Sequence, residues 1–168
     1  MLSIGAEAPD FEAETTAGRR VHLAKLRGRW VVLFFFPKAF TPGCTVETRR
    51  FQQRLPELRS FDVEVLGVSG DSHERQCDFA ASLDVEFPMI GDRGGAIAKR
   101  YQAKRPLLNL DRRITYVIDP EGKIALAFQD ETHMSHDERV VQFLQARKAS
   151  TPPTPPTPTP TPTPSTSA

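Results

Sequence analysis

The sequence predicts an α/β fold, a central mixed β-sheet flanked by helices, and three observations carry that prediction. Two short apolar runs, from Trp30 to Phe36 and from Val63 to Ser69, have the length and composition of strands buried on both faces. Apolar residues at helical spacing follow each run. Two further β-prone segments flank Pro120-Glu121-Gly122, which is a hairpin signal.

Taken in order, the run from Trp30 to Phe36 is bounded by Gly28 and Pro37 and is too short for a typical helix. Phe51, Leu55 and Leu58 then recur at i, i+4 and i+7, marking a helix after this strand. The run from Val63 to Ser69 is the second strand, followed by a helix from about Ser72 to Leu83 that buries Phe79 and Leu83. A shorter strand segment is expected at Glu86-Phe87-Pro88-Met89-Ile90. Ile114 to Asp119 and Lys123 to Phe128 form the hairpin. Ser135-His136-Asp137-Glu138 has the spacing of a capping box and opens a last helix carrying Val140, Val141 and Leu144. Without the shorter segment the order is β-α-β-α-β-β-α, with a parallel portion and an antiparallel hairpin. There is no internal repeat.

One globular domain is expected over residues 1–149, with a Thr/Pro-rich tail over 150–168. Eight of the 15 prolines fall after residue 150, together with seven threonines and no charge. Alternating Thr-Pro removes backbone donors and offers nothing to bury, so an extended, disordered tail is expected. About 150 residues suffice for a core without metal or disulfide staples. Lys and Arg number 22 against 21 Asp and Glu, a net charge of +1, and basic pairs never extend into a run. Nucleic acid and anionic membranes are therefore not expected partners. The start of the chain has no basic, apolar leader and no stretch is long enough to span a membrane, so a cytoplasmic protein is expected.

Two cysteines, Cys44 and Cys77, cannot make a disulfide framework and are expected to be reduced at rest. Cys44 lies in Pro37-Lys38-Ala39-Phe40-Thr41-Pro42-Gly43-Cys44-Thr45-Val46-Glu47. There the strand ends at Pro37, Thr41 is a good N-cap, and Pro42 fits the first helical position. Cys44 falls at the third. Unpaired amides and the positive end of the helix dipole favour the thiolate there. It precedes Phe51 by seven residues, so its sulfur points to the packed side. A cysteine in that place also reads as a small core residue. The surrounding Thr41, Pro42 and Gly43 instead shape a loop receptive to anions.

Pro37-x-x-x-Thr41-x-x-Cys44 resembles the P-x-x-x-T-x-x-C signature of the peroxiredoxins, and its flanks are similar to the bacterioferritin comigratory protein, or peroxiredoxin Q, branch of the AhpC/TSA superfamily. The similarity runs from Gly5-Ala6-Glu7-Ala8-Pro9-Asp10-Phe11 through Gly67-Val68-Ser69-Gly70-Asp71-Ser72 and Phe87-Pro88 to Arg113-Ile114-Thr115-Tyr116-Val117-Ile118-Asp119. The resemblance implies a thioredoxin-like fold and a thiol-dependent peroxidase that reduces hydrogen peroxide and organic hydroperoxides, serving antioxidant defence. Cys44 would be the peroxidatic nucleophile, passing through a sulfenic acid. Thr41 would hydrogen-bond peroxide and thiolate, Pro37 would shield the pocket, and Arg113 would stabilise the thiolate and transition state. Strand alternation lets only one of Arg112 and Arg113 face such a site, and the match selects Arg113. Glu47 would orient that arginine, although a solvent-exposed helix carboxylate is the plainer reading. No cofactor is implied, and a thioredoxin-type reductant is the family expectation. A monomer or weak homodimer is expected.

Many relatives on that branch carry a resolving cysteine five residues after the first; this chain has Arg49 there. The second thiol is then Cys77 or one from outside the chain. Cys77 lies about 160° around its helix from Phe79 and is expected to face solvent amid Glu74, Gln76 and Asp78. Other chemistries fit less well. His133 and His136 lack the further ligands of a metal site, position 47 is Glu rather than the second cysteine of a Cys-x-x-Cys oxidoreductase, and the single tryptophan, Trp30, lies in a strand. A reading from another class is a non-enzymatic redox-sensing or chaperone-like protein whose tail contacts a partner.

Overall fold

The computed structural model describes residues 1–130 and 135–150. Among the described residues the strands are β1 (Glu12–Glu14), β2 (Arg20–His22), β3 (Trp30–Phe35), β4 (Val63–Ser69), β5 (Met89–Gly91), β6 (Ile114–Ile118) and β7 (Ile124–Gln129). Helices are α1 (Pro42–Ser60), α2 (His73–Ser82), α3 (Ala96–Arg100) and α4 (His136–Ser150), with a 3-10 turn over Leu23–Leu26. β1 and β2 make a small antiparallel pair, and the other five strands form one sheet in the order β5-β4-β3-β6-β7. β3, β4 and β5 run parallel, while β6 and β7 run antiparallel to their inner neighbours. The mixed sheet and flanking helices therefore stand as read from the apolar runs.

The strongest of those runs lies at the centre of the sheet, and its alternation feeds two cores. Val32, Phe34 and Phe36 pack with Phe51, Leu55 and Leu58 of α1, Phe79 of α2 and Val140, Val141 and Leu144 of α4. Val31, Leu33 and Phe35 face the other layer, with Phe11, Ile97, Ala98 and Tyr101. Phe34 and Phe51 stack with ring centroids 4.4 Å apart. Gly67 of β4 makes room for that stack, since a Cβ there would lie 2.8 Å from Phe34 Cζ. At the β6–β7 hairpin, Asp119 Oδ1 accepts from the amides of Glu121 and Lys123, both at 2.9 Å. Gly122 supplies the positive φ that closes the turn.

The structure adds what short segments hide. β1, β2 and α3 are three to five residues long, and their charged, exposed positions give no periodicity to read. The expected strand at 86–90 begins only at Met89, because Pro88 supplies no amide for a ladder. α4 starts at His136 as the capping box suggests, but the exposed Glu138 carboxylate receives Gln142 Nε2 at 3.4 Å. α4 continues through Ser150, one residue past the expected boundary, while the tail from 151 onward and His133 lie outside the described residues. Among the described residues, no helix is long and apolar enough to cross a membrane.

The turn that leads from β3 into α1 is tied to the sheet. Phe36 N–H donates to Val68 O at 3.0 Å, and Ala39 N–H donates to Asp71 Oδ2 at 2.8 Å. The same carboxylate oxygen accepts from Ser69 Oγ at 2.7 Å, and all three groups are buried. Asp71→Ala leaves the Ala39 amide buried without an acceptor, at an expected cost of about 1–3 kcal/mol in urea unfolding. Amide exchange at Ala39 should quicken as well. Unchanged stability and exchange would show that Asp71 does not anchor the turn.

Candidate active site

Cys44 enters the site as the third residue of α1, after Thr41 at the N-cap and Pro42 at the first helical position. Its residue is 1% exposed, and its sulfur receives Arg113 Nη2 at 3.4 Å. Register brings that arginine there. β6 pairs antiparallel with β3, with Ile114 opposite Phe35, so Arg113 sits just beyond the ladder where the chain leaves β3 for α1.

The other arm of the Arg113 guanidinium meets Glu47. Nη1 donates to Glu47 Oε2 in a close buried ion pair. Glu47 follows Cys44 by three residues on α1, which sets both side chains on one face. Burial would lower the Arg113 pKa, but the charges on Glu47 and Cys44 outweigh it and hold it above its usual value. Burial pushes the Glu47 carboxyl up to about 7, with Arg113 opposing the rise. Glu47 is thus not the exposed helix carboxylate of the plainer reading.

Behind Glu47 stands His136, the first residue of α4, with a fully buried side chain. Its Nδ1 is 3.4 Å from Glu47 Oε1 and 2.7 Å from Thr115 Oγ1, and its Nε2 is 3.1 Å from Asp130 O. Burial pulls the His136 pKa down to about 4; the bond to the Asp130 carbonyl opposes this and Arg113 adds to it. From the sequence, His136 reads only as part of a helix start and Thr115 only as a strand residue. The available signal was a polar residue, Thr115, inside an otherwise apolar strand, since a buried hydroxyl requires a partner.

Two expected positions differ in detail. Thr41 has the extended backbone of an N-cap, yet its side chain does not cap the helix: Oγ1 donates to Lys38 O at 2.8 Å and closes the 38–41 loop. The first-turn amides of Gly43 and Cys44 are consequently not taken by a capping side chain. Pro37 is half-buried and lines a cleft of about 310 Å³ with Lys38, Leu108 and Leu110. Arg112 points elsewhere, into a groove with Arg105 and Leu108.

Cys77 is half-buried rather than fully turned to solvent, lining a groove with Thr16, Ala17, Ala80 and Ala81, and neighbouring Gln76 is not on the outer face expected of it. Gln76 is fully buried, donating to Ile90 O at 3.2 Å. Cys77 Sγ is 3.5 Å from His73 Nε2, which in turn lies 3.7 Å from Glu14 Oε1. Burial raises the Cys77 pKa, and the carboxylates of Asp78 and Glu14 add to the rise. Both cysteines are free.

The AhpC/TSA family model matches residues 4–127. The chloroplastic peroxiredoxin Q of Sedum lineare is 33% identical over 146 residues, covering 84% of this chain and 78% of that one. Peroxiredoxin Bcp of Escherichia coli is 30% identical over 150 residues, covering 86% and 96%. Among solved structures, peroxidoxin BcpB from Mycobacterium tuberculosis superposes with a TM-score of 0.80 at 31% identity, covering 87% of this chain and 98% of that one. The bacterioferritin comigratory protein of Xanthomonas campestris, studied for alkyl peroxide reduction, superposes with a TM-score of 0.79 at 27% identity, covering 88% and 98%. With its sheet order, its helix-borne cysteine and these similarities in agreement, the chain belongs to the AhpC/TSA family of peroxiredoxins, on the peroxiredoxin Q and Bcp branch.

Proposed function

We propose that Cys44 is the peroxidatic nucleophile of this thiol peroxidase. The observation that carries the assignment is the buried Arg113 guanidinium, 3.4 Å from Cys44 Sγ and paired behind with Glu47. The thiolate attacks the terminal oxygen of the peroxide: an S–O bond forms, the O–O bond breaks, and the sulfur is oxidised to a sulfenic acid. The departing oxygen takes a proton and leaves as water or an alcohol. Negative charge passes from sulfur to that oxygen, so donors fixed around both atoms lower the barrier without reorganising. Arg113 and the first-turn amides of Gly43 and Cys44 are those donors, and the Thr41 hydroxyl, whose own hydrogen goes to Lys38 O, joins them as the acceptor of the peroxide's hydrogen. Pro37 closes the turn beside them against water.

Hydrogen peroxide and organic hydroperoxides are the substrates of this reading, the latter in line with the Xanthomonas relative. Phe40 and Val46, both exposed on the segment that carries Cys44, offer apolar surface to an alkyl group. Cys77 resolves the sulfenic acid as an intramolecular thiol, and a thioredoxin-type thiol reduces the resulting disulfide. The setting is the cytoplasm, with the protein acting as a monomer or weak homodimer. A disulfide needs Cα atoms within about 7 Å, and the buried Cys44 reaches such a distance only when the first turn of α1 unwinds.

Cys44→Ser is expected to abolish peroxide consumption, and full turnover in that variant would refute the assignment. Arg113→Ala should lower the rate of Cys44 oxidation by about 100-fold or more, the effect of removing one preorganised transition-state donor; rapid mixing with peroxide reads it directly. After one equivalent of peroxide, non-reducing mass spectrometry should find a Cys44–Cys77 cross-link. A persistent sulfenic acid or a mixed disulfide with an added thiol would place the resolving thiol outside the chain.

A further inference from the structure

We propose that His136 is a positioning residue for the peroxidatic site: its unprotonated Nδ1 accepts a hydrogen bond from a proton that stays on Glu47 Oε1, and a Glu47 so neutralised frees the full charge of Arg113 for Cys44. The inference rests on the assignment of Cys44 above. It concerns what stands behind the arginine, where the sequence signature does not reach.

The tautomer follows from the partners. His136 Nε2 faces the Asp130 carbonyl at 3.1 Å, and a carbonyl oxygen only accepts, so Nε2 carries the hydrogen. In a neutral ring, Nδ1 is then a lone pair. The ring is held neutral because it is fully buried, stands at the positive end of the α4 dipole, and has the Arg113 and Arg139 cations nearby.

Two groups converge on that single lone pair, the Thr115 hydroxyl at 2.7 Å and Glu47 Oε1 at 3.4 Å. While Glu47 is ionised, it has no hydrogen to give, and Thr115 occupies Nδ1. Oε1 is then a buried oxygen without a hydrogen bond, as the structure shows it. A proton on Oε1 turns the orphaned acceptor into a donor with an acceptor waiting. The groups facing Glu47 favour that proton on balance. Arg113 opposes it, whereas burial and the Asp137 carboxylate, itself paired to Arg50 and Arg54, assist it.

The consequence for the reaction is electrostatic. With Glu47 neutral, the Glu47–Arg113 pair presents a net positive charge to Cys44. With Glu47 ionised, that charge is balanced by its own partner. The sign follows: the carboxyl is protonated below its pKa of about 7 and ionised above it, so the rate constant per thiolate falls as pH rises through neutrality.

The test is the pH profile of Cys44 oxidation by hydrogen peroxide in the full chain, divided by the thiolate fraction read from thiolate absorbance. Wild type should show a descending limb near neutral pH, and Glu47→Gln should abolish it. His136→Leu removes the acceptor and should move the limb down by about one pH unit, a tenfold loss at fixed pH on the limb. Thr115→Val removes the competitor within the same volume and should move the limb upward. His136→Asn, with an amide oxygen in the place of Nδ1, should restore it. A purely structural role would not give opposite shifts from two neighbouring substitutions. Infrared spectroscopy supplies a readout independent of peroxide chemistry: a protonated carboxylic acid stretch lost in Glu47→Gln and persisting to higher pH in Thr115→Val. A missing limb in wild type, a limb retained in Glu47→Gln, or no shift of limb and band in Thr115→Val would overturn the proposal. Loss of peroxide reactivity with the infrared behaviour intact would instead fault the Cys44 assignment.

Discussion

The buried guanidinium of Arg113 is the constraint from which the rest of the site follows. A cation only 6% exposed is costly unless opposite charge and acceptors surround it. Glu47 and Cys44 supply these from one face of α1, a turn apart, and the arginine arrives from the position just before β6. Neither helix nor strand could shift by one residue without leaving a buried charge alone. The sheet register that pairs Phe35 with Ile114 is therefore a requirement of the Cys44–Arg113–Glu47 cluster as much as a packing result.

That requirement explains why so much aromatic mass is spent on one central strand. Burying both faces of β3 fixes the point at which the chain leaves the sheet, and the Asp71 carboxylate then fixes the turn that follows. α1 starts from a defined place in a defined direction. Its own length locks that direction, through Phe51, Leu55 and Leu58 against the sheet. Precision at Cys44 is thus inherited from packing some distance away, as expected when a site is built on rigid elements and not on a free loop.

Residues with strong periodicity made their elements legible, and residues whose meaning depends on a distant partner did not. The run from Trp30 to Phe36 could be little but a buried strand, and Pro37-x-x-x-Thr41-x-x-Cys44 announced both a helix start and a chemistry. Glu12, Glu14, Arg20 and His22 flank only Ala13 and Val21, too few apolar residues to set a period, so β1 and β2 stay hidden in the sequence. Gln76 was grouped with its charged neighbours because sequence cannot show that Ile90 O and Ser69 lie opposite it. The same holds for Thr41, whose hydroxyl finds a carbonyl three residues back in place of the amides ahead. His136 is the clearest case: in the sequence it follows a cap, and only the fold brings Glu47 and Thr115 to the same nitrogen.

The start of α1 also has the properties that the proposed resolution by Cys77 demands, since it must then open. Pro42 brings no amide to the first turn, Gly43 adds flexibility, and the Thr41 side chain does not cap it. What holds Cys44 inward is its packing and the charge-assisted contact with Arg113. In the proposed mechanism the attacking thiolate becomes a larger, neutral sulfenic acid, a change that weakens that contact and crowds the packing at once. The proposed reaction would itself remove the forces that keep the turn closed. Glu47 then remains as the partner of Arg113, so the cation is not abandoned when the cysteine leaves. A site that holds its proposed nucleophile by charge would in this way release it by chemistry, with the rest of α1 still bound to the sheet.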